Sequence, residues 1–260
     1  MKLAILGCAV CAPGLPDWAS AVEVLNGAAA YDRSAVRDPS TVELPPNERR
    51  RLPATARAAL GVGIEALRAA GLDTQSVATV FTSCGSDGAI THQICEGLAR
   101  EPAEISPTRF HNSVHNAPGG YWSIALATHA PSTSLCAFEG SFAAGLLEAA
   151  AQALAEARTV LLVAYDLPYP APLSSLWNVT MPFSVALVLG PGRGNGHPQI
   201  EISLTPERLE ADWPECVPSE LRMNPAAASL PLLALLAKRE AGRVVLPYHS
   251  NNAVVVSVLS

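Results

Sequence analysis

Runs of consecutive apolar residues, closed by Gly, Pro or Ser, alternate along this chain with segments whose apolar residues return every third or fourth position. The first pattern predicts strands buried on both faces and the second predicts helices with one apolar side. Residues 3–10 read as a strand ended by the turn signals Pro13, Gly14 and Pro16. Residues 17–31 read as a short helix, because Asp17 can cap it and Trp18, Val22 and Leu25 share a face. Residues 32–53, with Pro39, Pro45, Pro46 and Pro53, read as a surface loop, and 54–70 as a helix stopped by Gly71. A strand at 77–82, a loop at 83–88 and a helix at 89–98 follow, then a Pro-marked loop at 101–109.

Further along, the pattern predicts a helix at 119–127, a strand at 132–137, a long helix at 140–157 and a strand at 160–164. A Pro-rich loop at 168–182, a strand at 185–189, a Gly-rich turn at 190–196 and a strand at 199–204 come next. The chain closes with a helix at 226–238 and a strand pair, 243–246 and 253–259, joined by Tyr248, His249, Ser250, Asn251 and Asn252. Such alternation predicts an α/β fold with a central sheet covered by helices on both faces.

Composition narrows the function classes. At 260 residues the chain can bury a substantial core, and 49% apolar against 15% charged residues leaves room for an extensive contact with a partner. A net charge of -6 without a basic block argues against a nucleic-acid surface. Six cysteines in a chain of this length point to a reducing, cytoplasmic setting rather than a disulfide scaffold. Ile5-Leu6-Gly7-Cys8 imitates a lipoprotein cleavage box, yet only seven residues precede Cys8, so a first strand is the expectation. No run of 18 apolar residues is present, and no membrane span is expected.

Several residues could carry chemistry. Cys8 and Cys11 have redox or half-metal-site spacing without a second pair, and read as buried apolar cysteines. Arg49, Arg50 and Arg51 make either a weak anion patch or a solvated face. The loop at 83–88, with Cys84, follows a strand and precedes a helix, where open α/β folds place ligand sites. Neither a phosphate loop nor a dinucleotide fingerprint is present, and no cofactor is expected. His111 and His115 would be half a metal site if helical, but Pro118 and the glycine pair favour a loop, and no third ligand is in view.

The stretch Asn112-Ser113-Val114-His115-Asn116-Ala117-Pro118-Gly119-Gly120-Tyr121-Trp122, with the strand and small-residue helix that follow, resembles the N-terminal domain of β-ketoacyl synthases. In particular it resembles the short synthase-like proteins found beside aryl polyene and related polyketide genes. The resemblance implies a thiolase-like layered α/β/α/β/α fold, its N-terminal half retained in residues 1–190 and its C-terminal half much shortened to 191–260. It also implies that the family's acyl-carrying cysteine falls at a strand-to-helix junction, in a pattern that places Ala137 at its Ala and Phe138 at its cysteine. Glu139, Gly140 and Ser141 then fill the small-residue positions; a buried Glu139 would need a partner or a proton. Phe138 has no nucleophilic atom. Cys136 shares a strand face with position 138 but misses the helix N-terminus that lowers a thiol pKa. Ser141 does not stand in a G-x-S-x-G elbow and reads as a helix-packing serine. His249, with Asn251 and Asn252, faintly resembles the family's closing Gly-rich turn without its glycines. The resemblance sets Asn112, His115, Asn116, Tyr121 and Trp122, with the 137–141 segment, near a partner contact or substrate cavity, where Tyr and Trp offer large amphipathic surface.

Three readings follow. The first is a non-catalytic, chain length factor-like subunit in a heterodimer with a complete ketosynthase, with an acyl carrier protein as a further candidate partner. The second is an acyltransferase or condensing enzyme acting through Cys136 or Cys84, with His249 as a candidate base. The third is a homodimeric acyl-binding or scaffold protein.

Overall fold

The apolar runs become β1 (Lys2–Cys11), β2 (Ala78–Thr82), β3 (Ser132–Leu135), β4 (Val160–Asp166), β5 (Phe183–Pro191), β6 (Gln199–Thr205), β7 (Gly242–His249) and β8 (Asn252–Leu259). The helices are α1 (Trp18–Leu25), α2 (Pro46–Arg51), α3 (Ala54–Ala69), α4 (Gly88–Leu98), α5 (Pro107–Asn112), α6 (Ala117–Leu126), α7 (Ser141–Ala155) and α8 (Leu230–Lys238). The computed structural model describes residues 1–38, 44–192, 196–206, 211–249 and 251–259. Pro39, the centre of the expected Gly-rich turn at 193–195, and Ser250 lie outside the described residues.

The strands form one mixed sheet in the order β3-β2-β4-β5-β1-β6-β8-β7. β2 runs parallel to β3 and β4, whereas β5 is antiparallel to both β4 and β1. β1, β2, β3 and β4 therefore end on one edge, where helix-linked sheets gather their functional loops. Alternate residues of β4 enter two separate cores. Leu161 and Val163 pack with Leu60, Leu67 and Trp122 of α3 and α6, while Val160, Leu162 and Ala164 pack with Leu146, Ala149 and Leu233 of α7 and α8. A strand covered on both faces needs an apolar side chain at every position, which is why β4 and β5 read as unbroken apolar runs. The fold is thus a mixed α/β sheet flanked by helices.

β1 pairs with β6 over Lys2–Ala4, and the β6-β8-β7 ladder beyond it is antiparallel throughout. α7 lies against β2, β4 and β5 and also against β7. This packing depends on small residues: a Cβ at Gly145 would stand 2.7 Å from Thr82 Cγ2 and 2.9 Å from Leu162 Cδ1.

Local details depart from the sequence reading for identifiable reasons. α2 forms inside the expected loop because Pro46 suits a first helical turn and Arg49, Arg50 and Arg51 suit the last. α5 likewise starts inside the expected loop at 101–109, with Ser106 Oγ accepting from the Arg109 N–H. α1 stops at Leu25, before Asn26 and Gly27, the latter at φ +81°. The helix expected at 226–238 begins as a 3-10 turn, Pro225–Ser229, ahead of α8. No helix among the described residues is long and apolar enough to cross a membrane.

Candidate functional site at the parallel edge

From the end of β3 the chain passes Cys136 and Ala137, reverses through a 3-10 turn at Phe138–Gly140 and enters α7. Phe138 takes φ +49°, a left-handed conformation that costs an L-residue roughly 1–2 kcal/mol and persists only where the surroundings impose it. The surroundings do so. Ser141 Oγ accepts from the Ala137 N–H at 3.0 Å and lies 2.7 Å from the Phe138 carbonyl and 3.1 Å from that of Ser83. Its single proton serves one carbonyl at a time. Thr82 Oγ1 donates to the Ser141 carbonyl at 2.9 Å, and a Cβ on Gly140 would collide with the Tyr248 carbonyl. The result is an elbow that leaves Phe138 65% exposed, with Glu139 also exposed.

Ser141 is buried and its hydroxyl partners are all backbone groups, so it braces the elbow. Cys136 is exposed, and its Sγ donates to the Cys84 carbonyl at 2.8 Å. Partial burial raises its thiol pKa, a backbone hydrogen bond at Phe138 opposes this, and the Asp166 charge adds to the rise. A thiol held in its protonated form is a poor nucleophile.

Cys84 is buried at the neighbouring junction, 3.3 Å from the Tyr169 hydroxyl. Burial first, then the Asp166 charge, drives its pKa far above the usual thiol value. Asp166 ends β4, accepts from the Cys84 N–H at 2.7 Å and the Ala226 N–H at 3.1 Å, and is 2% exposed. Burial pushes its carboxyl up to about 7 against the lowering pull of these hydrogen bonds. Asn224 Nδ2 donates to the carbonyls of Asp166 and Met181 at 3.0 and 2.9 Å, tying the C-terminal segment to this edge. Asp166, Tyr169 and Asn224 escaped the sequence reading. The one local signal was an acid closing an otherwise apolar strand.

His249 is the exposed last residue of β7, next to the Tyr248 carbonyl that meets Gly140, so the C-terminal hairpin lies beside the elbow. Tyr121 and Trp122 depart from expectation: they are 3% and 1% exposed and belong to the chain's own core. Gly63 opens the slot for the Trp122 ring, which a Cβ there would meet at 2.8 Å, and Phe81 packs edge-on at 5.9 Å. The Tyr121 hydroxyl is 3.0 Å from Asn112 Oδ1 and 3.2 Å from the Arg51 carbonyl, which also accepts from Asn112 Nδ2 at 2.8 Å. Asn112 therefore ties α5 to α2 and α6 from a buried position and also lines a cleft on this edge. His111 lies in α5 while His115 lies beyond it, half-buried, so no shared helical face forms; Asn116 is exposed. Among the described residues no group of three His, Cys, Asp or Glu could hold a metal ion.

A cleft of about 480 Å³ opens on the same edge, lined by Arg50, Arg51 and Arg109 with Ser86 and Asp87 from the β2–α4 junction. Arg50 and Arg51 of the arginine run therefore border a concave surface.

The sequence matches the family model "Beta-ketoacyl synthase, N-terminal domain" over residues 20–245. The chain belongs to the β-ketoacyl synthase family. Its β-ketoacyl synthase match runs from within α1 into β7, so it includes both junctions and β6 and stops short of β8. Among solved structures it is similar to a chain of the ketosynthase ApeO in complex with its chain length factor ApeC from Xenorhabdus doucetiae, at 26% identity and TM-score 0.73, covering 99% of each chain. The ishigamide ketosynthase/chain length factor is similar at 12% identity and TM-score 0.71, again over 99% of each chain. A ketosynthase from module 1 of the bacillaene synthase of Bacillus amyloliquefaciens FZB42 aligns at 14% identity and TM-score 0.57, over 79% of this chain but 45% of that one. No curated protein matches the sequence.

Proposed function

We propose that this chain is a non-catalytic, chain length factor-like subunit that pairs with a complete β-ketoacyl synthase and helps shape the cavity holding its growing acyl chain. The observation that carries this reading is Phe138, an exposed aromatic without a nucleophilic atom, held at φ +49° on a braced strand-to-helix elbow. Sharp, strained strand-to-helix turns are the devices that present nucleophiles. Here the device is intact and the nucleophile is replaced by an apolar plug. In this reading the chain keeps the N-terminal half of a thiolase-like α/β/α/β/α fold, with 191–260 as a reduced C-terminal portion.

Partner binding has support in the surface. β3 is one of the two edge strands of the sheet, and α6 beside it exposes Ile124. An open strand edge next to apolar side chains is a surface that pairs. The partner carries out acyl transfer to its own cysteine, decarboxylation and condensation. The arginine-lined cleft suits an acidic acyl carrier protein as a further partner.

The test is co-expression with a complete ketosynthase, exposure to an acyl-carrier thioester, and intact-mass analysis of native protein and Cys136→Ala. A 1:1 complex labelled only on the ketosynthase is expected. Label on this chain that vanishes in the variant would overturn the proposal and make Cys136 the nucleophile. A homodimer that ignores the ketosynthase would overturn it in favour of a scaffold.

A further inference from the structure

A second cleft, of about 360 Å³, opens where β1 ends. Cys11 and Phe183 form its floor, 8% and 1% exposed, and Ala54, Ala58, Leu167 and Pro182 form its walls. Ala54 and Ala58 are one helical turn apart on the same side of α3, and larger residues at either position would fill the space. The covering segment is tied down: the Tyr31 hydroxyl donates to the Pro13 carbonyl at 2.7 Å, the Gly14 N–H to that of Ala35 at 2.8 Å, and Cys11 Sγ to that of Arg37 at 3.7 Å. The cleft is thus preformed, as ligand sites usually are.

Its mouth is charged. Val36, Arg37, Asp38 and Arg57 surround the opening. Arg37 is committed to Glu65. Arg57 reaches Asp38 only at 3.8 Å and makes no side-chain hydrogen bond among the described residues, so its N–H donors remain available. An apolar slot with a guanidinium fork at its rim matches a ligand with an apolar tail and a planar anionic head, because a carboxylate can take two parallel N–H bonds.

We infer that this cleft binds a medium-chain carboxylate, its tail against Ala58 and Phe183 and its head on Arg57. The site shares no residue with the elbow and does not depend on the role of Phe138.

Titration calorimetry of the full chain with sodium octanoate and with 1-octanol tests the assignment. Octanoate is expected to bind 1:1, Ala58→Phe to abolish binding of both ligands, and Arg57→Gln to weaken octanoate about tenfold while changing octanol by less than about twofold. Should Ala58→Phe fail to fold, Val36→Asp at the exposed rim serves instead and is expected to weaken octanoate by charge repulsion. Absence of saturable binding, or octanoate affinity indifferent to both Arg57→Gln and the cleft variant, would overturn the inference.

Discussion

Two strand-to-helix junctions stand side by side on the parallel edge and are built alike. The β2–α4 and β3–α7 junctions each hold a cysteine, Cys84 and Cys136, and each places a non-glycine residue at positive φ, Ser86 at 64° and Phe138 at 49°. Each is braced by a serine: Ser83 Oγ accepts from the Ser86 N–H at 2.8 Å, and Ser141 Oγ from the Ala137 N–H at 3.0 Å. The braces are joined, since Ser141 Oγ reaches the Ser83 carbonyl and Cys136 Sγ the Cys84 carbonyl. What differs is the surface. The first junction closes Cys84 beneath Tyr169, whereas the second turns Phe138 outward. Strain and bracing belong to the backbone and its hydroxyls; chemistry depends on the one side chain that the elbow presents.

The comparison breaks most completely at Gly140. Gly140→Val would drive a branched Cβ into the Tyr248 carbonyl, which is backbone and cannot rotate away. A loss of roughly 3 kcal/mol is expected in denaturant unfolding, the upper range for overpacking. A loss under about 1 kcal/mol would mean that the hairpin moves aside freely and does not fix the elbow.

Asp166 supports the buried junction, and Asp166→Asn, which replaces one accepting oxygen by an amide while the Ala226 N–H keeps Asn224 Oδ1 at 3.0 Å, is expected to cost about 1 kcal/mol. The pH dependence has a definite sign. Folded, the carboxyl keeps its proton up to about 7; unfolded, it releases it in the ordinary carboxylate range. Between those values the folded state binds more protons, so this group's contribution to stability falls as pH rises. Melting curves from pH 4 to 8 should show the gap between native protein and Asp166→Asn narrowing, and a constant gap would refute the raised carboxyl.

Much of the sheet was legible because each strand writes its burial in its own run of residues: β4 and β5 are continuous apolar stretches in two-sided cover. Gly140 was legible as a small-residue position at the strand-to-helix junction, though not the Tyr248 carbonyl that presses against it. Ties between distant segments left no local pattern. Asn224 and Asp166 meet only in the fold, and nothing around either predicts the other. Trp122 misled for the same reason, since an amphipathic ring reads as surface until Gly63, far upstream, supplies its slot. Pro46 hid α2 because proline marks loops and first helical turns alike.

The smallest expected effect separates the two junctions most finely. Ser86→Gly and Phe138→Gly each relieve a positive φ worth about 1–2 kcal/mol, offset by roughly 0.5–1 kcal/mol for the greater freedom of glycine when unfolded. Both should raise the stability of the isolated chain by about 0.5 kcal/mol, because the Phe138 ring is largely in solvent and its loss removes little packing. With a ketosynthase bound the two should part. Ser86→Gly would leave association unchanged, while Phe138→Gly would forfeit the burial of an aromatic side chain, about 2 kcal/mol, and weaken the complex about thirtyfold. If Phe138→Gly instead destabilised the free chain by about 3 kcal/mol, as truncating a core phenylalanine does, the ring would be part of this chain's own packing rather than a surface offered to a partner.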